Sequence, residues 1–185
     1  MSNNNLIEQT YQIPTSHKAF SISLILANIF SHVTLEKDIL PFCLVNRWWN
    51  QLATERLWNK FRGLKNDSKT KAFSKFLTIL QQSRDKKCIH EYGRYVKILD
   101  LEKLKIGHEK LLETLDCCPR IEQLTMGNCV LSKTQMYDIA KRLPELRLFK
   151  FNDIDINDGD ALGAIAKYCL MLEELNLKRD ISCDF

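Results

Sequence analysis

The sequence predicts an α+β chain: a three-helix N-terminal module followed by a short α/β solenoid of repeats. Three observations carry that prediction. Residues 21 to 61 are dense in apolar side chains at helical spacing. All three tryptophans, Trp48, Trp49 and Trp58, fall within eleven residues near the end of that stretch. Four later segments, starting at residues 96, 121, 146 and 172, share an apolar residue at positions 1, 4, 6 and usually 9. Their fourth positions, Leu99, Leu124, Phe149 and Leu175, are spaced by 25, 25 and 26 residues, the mark of a stacked supersecondary unit.

Bulk properties set the frame. A chain of 185 residues suits one domain or two small ones. At 45% hydrophobic and 27% charged, with a net charge of +4, it reads as globular, and the charge names no partner. Seven cysteines form no CxxC pair and mostly sit in apolar runs. That usage indicates reduced thiols, as in the cytoplasm or nucleus. The apolar stretch 22–30 starts too far in for a signal peptide. It is also far shorter than the ~18 residues of a membrane span.

The elements follow in order. Residues 1–20 are polar and expected to be flexible. Ile22, Ile25, Leu26, Ile29, Phe30 and Val33 make a broad helical stripe that suits packing on more than one side. Thr34 is a candidate cap for the next helix, with Glu36 and Asp38 in its first turn. Two further short helices fit residues 37–54 and 55–61. Residues 62–95 read as a basic linker helix region. From Lys60 to Lys97 there are eleven Lys or Arg against three acids, a net of +8, so the remainder carries −4. Within it Phe73, Phe76, Leu77 and Leu80 follow amphipathic spacing. No nucleic-acid motif or aromatic platform accompanies the charge, so a solvated basic face is expected rather than a phosphate-binding one.

Residues 96–185 carry the repeats, expected to be truncated. Helical stretches separate the strand segments; Ser132 and Gln135 form a capping-box pattern, and Pro119 and Pro144 precede their segments by two residues. Alternation directs Leu99 and Leu101, Leu124 and Met126, Phe149 and Phe151, and Leu175 and Leu177 to one side of a parallel sheet, under the helices. A period near 25 fits the leucine-rich class. The outward residues are the candidate substrate-binding set: Lys97, Asp100, Glu122, Gln123, Thr125, Arg147, Lys150, Asn152, Glu174 and Asn176. The sequence stops eight residues after Leu177 without a polar capping repeat, as expected of a shortened member or a fragment.

No enzyme, metal or cofactor chemistry is expected. Cys88 and His90 lack a second pair at zinc spacing. The acidic run 151–160 lacks the closing Glu of a calcium loop, and no Gly-rich phosphate loop exists.

Residues 21–61 resemble an F-box. The matching stretches are "IFSHV" at 29–33, "EKDIL" at 36–40, "CLVNRWW" at 43–49 and "LW" at 57–58. The repeats resemble the cysteine-containing leucine-rich repeats found behind F-boxes, with "CCP" at 117–119 and Cys129 at position 9 of its segment. The resemblance implies a substrate-recognition adaptor of a cullin–RING ubiquitin ligase, located in the cytoplasm or nucleus. Ile22, Leu26, Ile29, Phe30, Leu40, Leu44, Val45 and Trp49 would contact the Skp-family adaptor, and the outward residues of the sheet a protein substrate. Membrane and nucleic acid are not expected partners. Trp49 and Trp58 match family tryptophans and would help hold the three helices together. One departure matters: where F-boxes carry Leu-Pro, this chain has Ser21 and Ile22. Adaptor binding is then either weaker or carried by Phe20 and Ile22. The alternative is a leucine-rich interaction scaffold without ligase association.

Overall fold

A computed structural model of the chain describes residues 17–63, 69–127, 131–152 and 159–178. It is a mixed α/β structure of seven α-helices and one sheet of five parallel strands among those residues. The chain divides into two compact units, Met1–Ala53 and Thr54–Phe185.

The first unit contains α1 (His17–His32), α2 (Glu36–Ile39), a 3-10 segment (Leu40–Leu44) and the start of α3 (Arg47–Trp58). Pro41 sits at the start of the 3-10 segment, where a missing N–H costs little. Thr34 does not cap α2: the cap position is Leu35, without a side-chain bond. Asn46 opens α3 instead. Its Oδ1 accepts the backbone N–H groups of Trp48 at 3.0 Å and Trp49 at 2.9 Å. Residues 47–58 are one helix rather than the ends of two short ones. Between Leu52 and Leu57 lie Ala53, Glu55 and Arg56, strong helix formers with no breaker among them.

Leu26, Phe30 and Ile39 are buried. Phe30 stacks on Phe42 with centroids 4.9 Å apart, and Trp49 meets both rings edge-on at 5.4 and 5.6 Å. Edge-on and offset arrangements suit the ring quadrupoles, and each such pair contributes about 0.5–1.5 kcal/mol beyond area burial. Asn50 Nδ2 donates to the Cys43 carbonyl at 2.8 Å, tying the 3-10 segment to α3.

The second unit alternates strand and helix: β1 (Lys60–Arg62), α4 (Lys69–Arg84), β2 (Ile98–Asp100), α5 (His108–Cys117), β3 (Gln123–Gly127), α6 (Lys133–Ala140), β4 (Leu148–Asn152), α7 (Gly159–Tyr168) and β5 (Glu174–Lys178). The strands pair in parallel in sequence order. β1 was not anticipated by the sequence reading. Three residues present a single apolar position, Phe61, and one position has no period. The basic segment is therefore the first strand and helix of the sheet rather than only a connection. As expected, α4 buries Phe73, Phe76, Leu77 and Leu80.

The register stacks Phe61, Leu99, Leu124, Phe149 and Leu175 as successive partners. Just before each later strand, one carbonyl serves two amides. Asn59, Lys97, Glu122 and Arg147 each accept from two consecutive N–H groups of the next segment, at 2.8–3.0 Å. Leu99, Leu101, Leu124, Met126, Phe149 and Phe151 are buried in one cluster with side chains of α4 to α7. Leu175 and Leu177 depart from the expected cover, at 38% and 45% exposed. No helix follows β5 among the described residues to close over them. The Ser132–Gln135 capping box forms as expected.

Trp58 belongs to this unit. It stacks on Tyr92 at 4.3 Å and Phe76 at 5.9 Å rather than holding the three N-terminal helices together. Buried Ser83 donates to the His90 carbonyl at 2.7 Å and accepts from the Tyr92 N–H at 2.8 Å, anchoring the 3-10 turn Tyr92–Tyr95. Inside that turn, Gly93 lies so close to the end of α5 that a Cβ would stand 1.8 Å from the Cys117 carbonyl oxygen. Among the described residues no helix is long and apolar enough to cross a membrane.

Gly93→Ala is therefore expected to lose about 2–4 kcal/mol, since the obstructing atom is backbone and cannot rotate away. Gly163→Ala, in α7 with open space around its Cβ, should instead be neutral or gain up to ~1 kcal/mol. Urea unfolding of the two variants measures both. Equal midpoints would refute the close-approach account.

Candidate functional site

Two surfaces follow from these arrangements, one on each unit. In the first unit the 3-10 segment is pinned to α1 by the Phe30–Phe42 stack and to α3 by Asn50, yet its aliphatic side chains face water. Leu44 is 88% exposed, and Leu40 and Val45 are more than half exposed. On α1, Ile25 and Ile29 stand one turn apart and are both exposed. Five large apolar side chains thus lie uncovered on two segments joined through an aromatic core.

The eight residues expected at this surface divide. Ile29, Leu40, Leu44 and Val45 are exposed. Leu26 and Phe30 are buried and belong to the core. A single broad stripe cannot tell the inward side of α1 from its outward side, because both are aliphatic. Trp49 is half-buried, its ring engaged by Phe30 and Phe42. Ile22 lies in α1, and its side chain is outside the described residues. Leu24 and Leu35 are exposed as well and were not anticipated as contacts.

The second surface is the sheet face opposite the helices. The register lines up Arg62, Asp100, Thr125, Lys150 and Asn176 in one row, and Lys60, Ile98, Gln123, Leu148 and Glu174 in another. Ile98 and Leu148, both half-buried, add apolar steps to the second row. Asn152 ends β4, with its side chain outside the described residues; most of the acidic run 151–160 is outside them too. At the strand starts the charges alternate and pair. Lys97 Nζ lies 2.8 Å from Glu122, and Arg147 Nη1 lies 2.6 Å from Glu173. Arg62 and Asp100 are 3.4 Å apart. Four expected substrate contacts are therefore already engaged with neighbouring charges: Lys97, Asp100, Glu122 and Arg147. Exposed pairs of this kind contribute at most about 1 kcal/mol each.

Among the described residues no group of three His, Cys, Asp or Glu stands close enough to hold a metal ion. A cavity of about 440 Å³ is lined by Phe73, Ser74, Leu104, His108 and Lys110 among others. His108 Nδ1 is buried without a hydrogen-bond partner among the described residues, while Nε2 lies 3.8 Å from Asp138. Cys117, Cys118 and Cys169 are packing groups. Burial raises the thiol pKa of Cys117, Cys118 and Cys169, and pushes Cys169 up to about 11. The Cys169 thiol points at the Ala140 carbonyl at 3.8 Å. Neutral thiols in this setting act as small hydrophobes rather than nucleophiles.

No protein-family model matches the chain, and no curated protein matches it either.

The thiol environment has a measurable consequence. Below pH 9 the Cys169 thiol is protonated in both folded and unfolded chains. As pH rises from the ordinary value of 9.0 toward about 11, the unfolded chain ionises first, so stability falls through that window. Urea midpoints taken from pH 8 to 11 should decline, with a shallower slope in Cys169→Ala. An identical slope in the variant would remove Cys169 from the account.

Proposed function

We propose that the chain is a non-catalytic substrate-recognition adaptor of a cullin–RING ubiquitin ligase. In this reading the first unit is an F-box that docks on the Skp-family adaptor, and the strand–helix repeats are leucine-rich repeats that receive a protein substrate. The observation that carries it is the exposure of Ile29, Leu40, Leu44 and Val45 on a unit that already has its own aromatic core. An aliphatic face left in water on a unit with its own aromatic core is what a docking module presents to a partner. The order of helical module and repeats, and the in-register stacking of Leu99, Leu124 and Phe149, support the second half of the reading. Residence in the cytoplasm or nucleus goes with it.

A repeat scaffold without ligase association is the competing reading. Ser21 and Ile22, in place of the family's Leu-Pro, favour it.

Co-expression with a Skp-family adaptor separates the two. Leu40→Asp/Leu44→Asp is the informative variant, because both side chains are exposed and the fold does not depend on them. Trp49→Ala is not, since Trp49 closes the aromatic core. The wild type should co-purify with the adaptor. The double variant, with an unchanged circular dichroism spectrum, should bind at least ~30-fold more weakly, the loss of a central hot spot. Well-folded wild type that captures no adaptor would leave the scaffold reading standing.

A further inference from the structure

Beside the basic face of α4 the fold builds a cavity that neither surface described above uses. It encloses about 440 Å³ between α4, the residues that follow β2 and the first turn of α5. That volume falls within the roughly 300–1,000 Å³ of ligand-sized clefts. Its apolar wall is Phe73, Leu104 and Ile106. Phe73 and Leu104 belong to the buried core, and farther along the two helices Gln81 Nε2 donates to Glu113 Oε1 at 2.5 Å. The wall is therefore part of the packed fold and stands ready before anything enters. The mouth is at the surface, where Lys105, Gly107 and Lys110 line the cavity and are exposed.

One sign of charge dominates this mouth. Lys105 and Lys110 line it together with the acid Glu109. On α4, Lys71 stands one turn before Ser74, which also lines the cavity, and Lys75 follows directly after it. Elsewhere the basic segment is matched by acids: Arg62 by Asp100, Lys87 by Asp85, Arg94 by Glu91, and Lys97 by Glu122. Lys71, Lys75, Lys105 and Lys110 enter no ion pair among the described residues, and all four are exposed. An apolar pocket alone would accept any hydrocarbon group, and a lysine cluster alone any anion. Side by side they select an occupant that is both. A bare polyanion would leave Phe73, Leu104 and Ile106 without a partner.

We propose that this cavity is a binding site for an acidic protein segment that carries one large apolar anchor residue. The anchor enters against Phe73, Leu104 and Ile106, and its removal from water supplies most of the affinity. Flanking carboxylates meet the lysines at the mouth, which sets the direction of the segment and speeds its arrival. The site shares no residue with the sheet face or with the aliphatic face of the first unit. It therefore stands or falls apart from the ligase reading.

The test is an NMR titration of the isotope-labelled full chain with the blocked peptide Asp-Glu-Phe-Glu-Asp. Amide shifts should be confined to residues 71–75 and 104–110. A peptide with Ala in place of Phe should bind roughly tenfold more weakly or worse, because the ring no longer leaves water. Lys105→Glu/Lys110→Glu should weaken binding by a similar factor, and wild-type binding should fall as salt rises. Gly107→Leu fills the cavity from its wall without touching a lysine. Gly107 has φ −67 and ψ 150, which any residue adopts, and a Cβ there meets nothing within 4 Å. This variant should keep the wild-type circular dichroism spectrum and lose the peptide. Equal binding of the Ala peptide, or indifference to Gly107→Leu in the folded variant, would overturn the proposal and leave only a diffuse cationic surface. So would shifts spread over other lysines, or none at millimolar peptide.

Discussion

Parallel pairing in strict sequence order imposes the constraint on which the rest of the second unit depends. Because Leu99, Leu124 and Phe149 are register partners, every strand–helix unit delivers its largest apolar side chains to the same depth. The helices then have one continuous apolar floor to cover, and no unit could bury its own share alone. The doubled carbonyls of Asn59, Lys97, Glu122 and Arg147 set where each strand begins. A slip of one residue would turn every leucine outward and expose charge to the core. The close approach of Gly93 to the end of α5 and the Ser83 bonds make the turn ahead of β2 fit that floor.

The first unit meets a different difficulty. It has too few residues to bury much surface, and it concentrates aromatic rings to compensate. Phe30, Phe42 and Trp49 supply a core that three short segments of aliphatic residues could not. This economy answers why the tryptophans cluster, although they serve different masters: Trp49 closes the first core, Trp58 stacks in the second, and Trp48 stays at the surface. The aliphatic residues displaced from the small core are the ones available to a partner.

The repeats were legible in the sequence because a long period repeated three times leaves little freedom: Leu99, Leu124, Phe149 and Leu175 are partners as their spacing implied. The amphipathic face of α4 and the Ser132–Gln135 box were legible because each is a local pattern with one geometric outcome. β1 was not, since Phe61 alone carries no period. The inward and outward sides of α1 were not, because Ile25, Leu26, Ile29 and Phe30 are all apolar and only the position of Phe42 decides among them. The cover of Leu175 and Leu177 depends on what lies beyond β5, which alternation within the strand cannot express.

The alternating Lys97, Glu122, Arg147 and Glu173 at the strand starts bear on how fast anything can land beside them. Paired charges of opposite sign cancel within a few ångströms, so this rim projects almost no field into solution. A visitor approaching from that side is not steered. Its encounter rate stays near the unassisted 10⁵–10⁶ M⁻¹s⁻¹ and changes little with ionic strength. Discrimination there must arise after contact, from how long a well-shaped visitor stays, and not from how quickly it arrives.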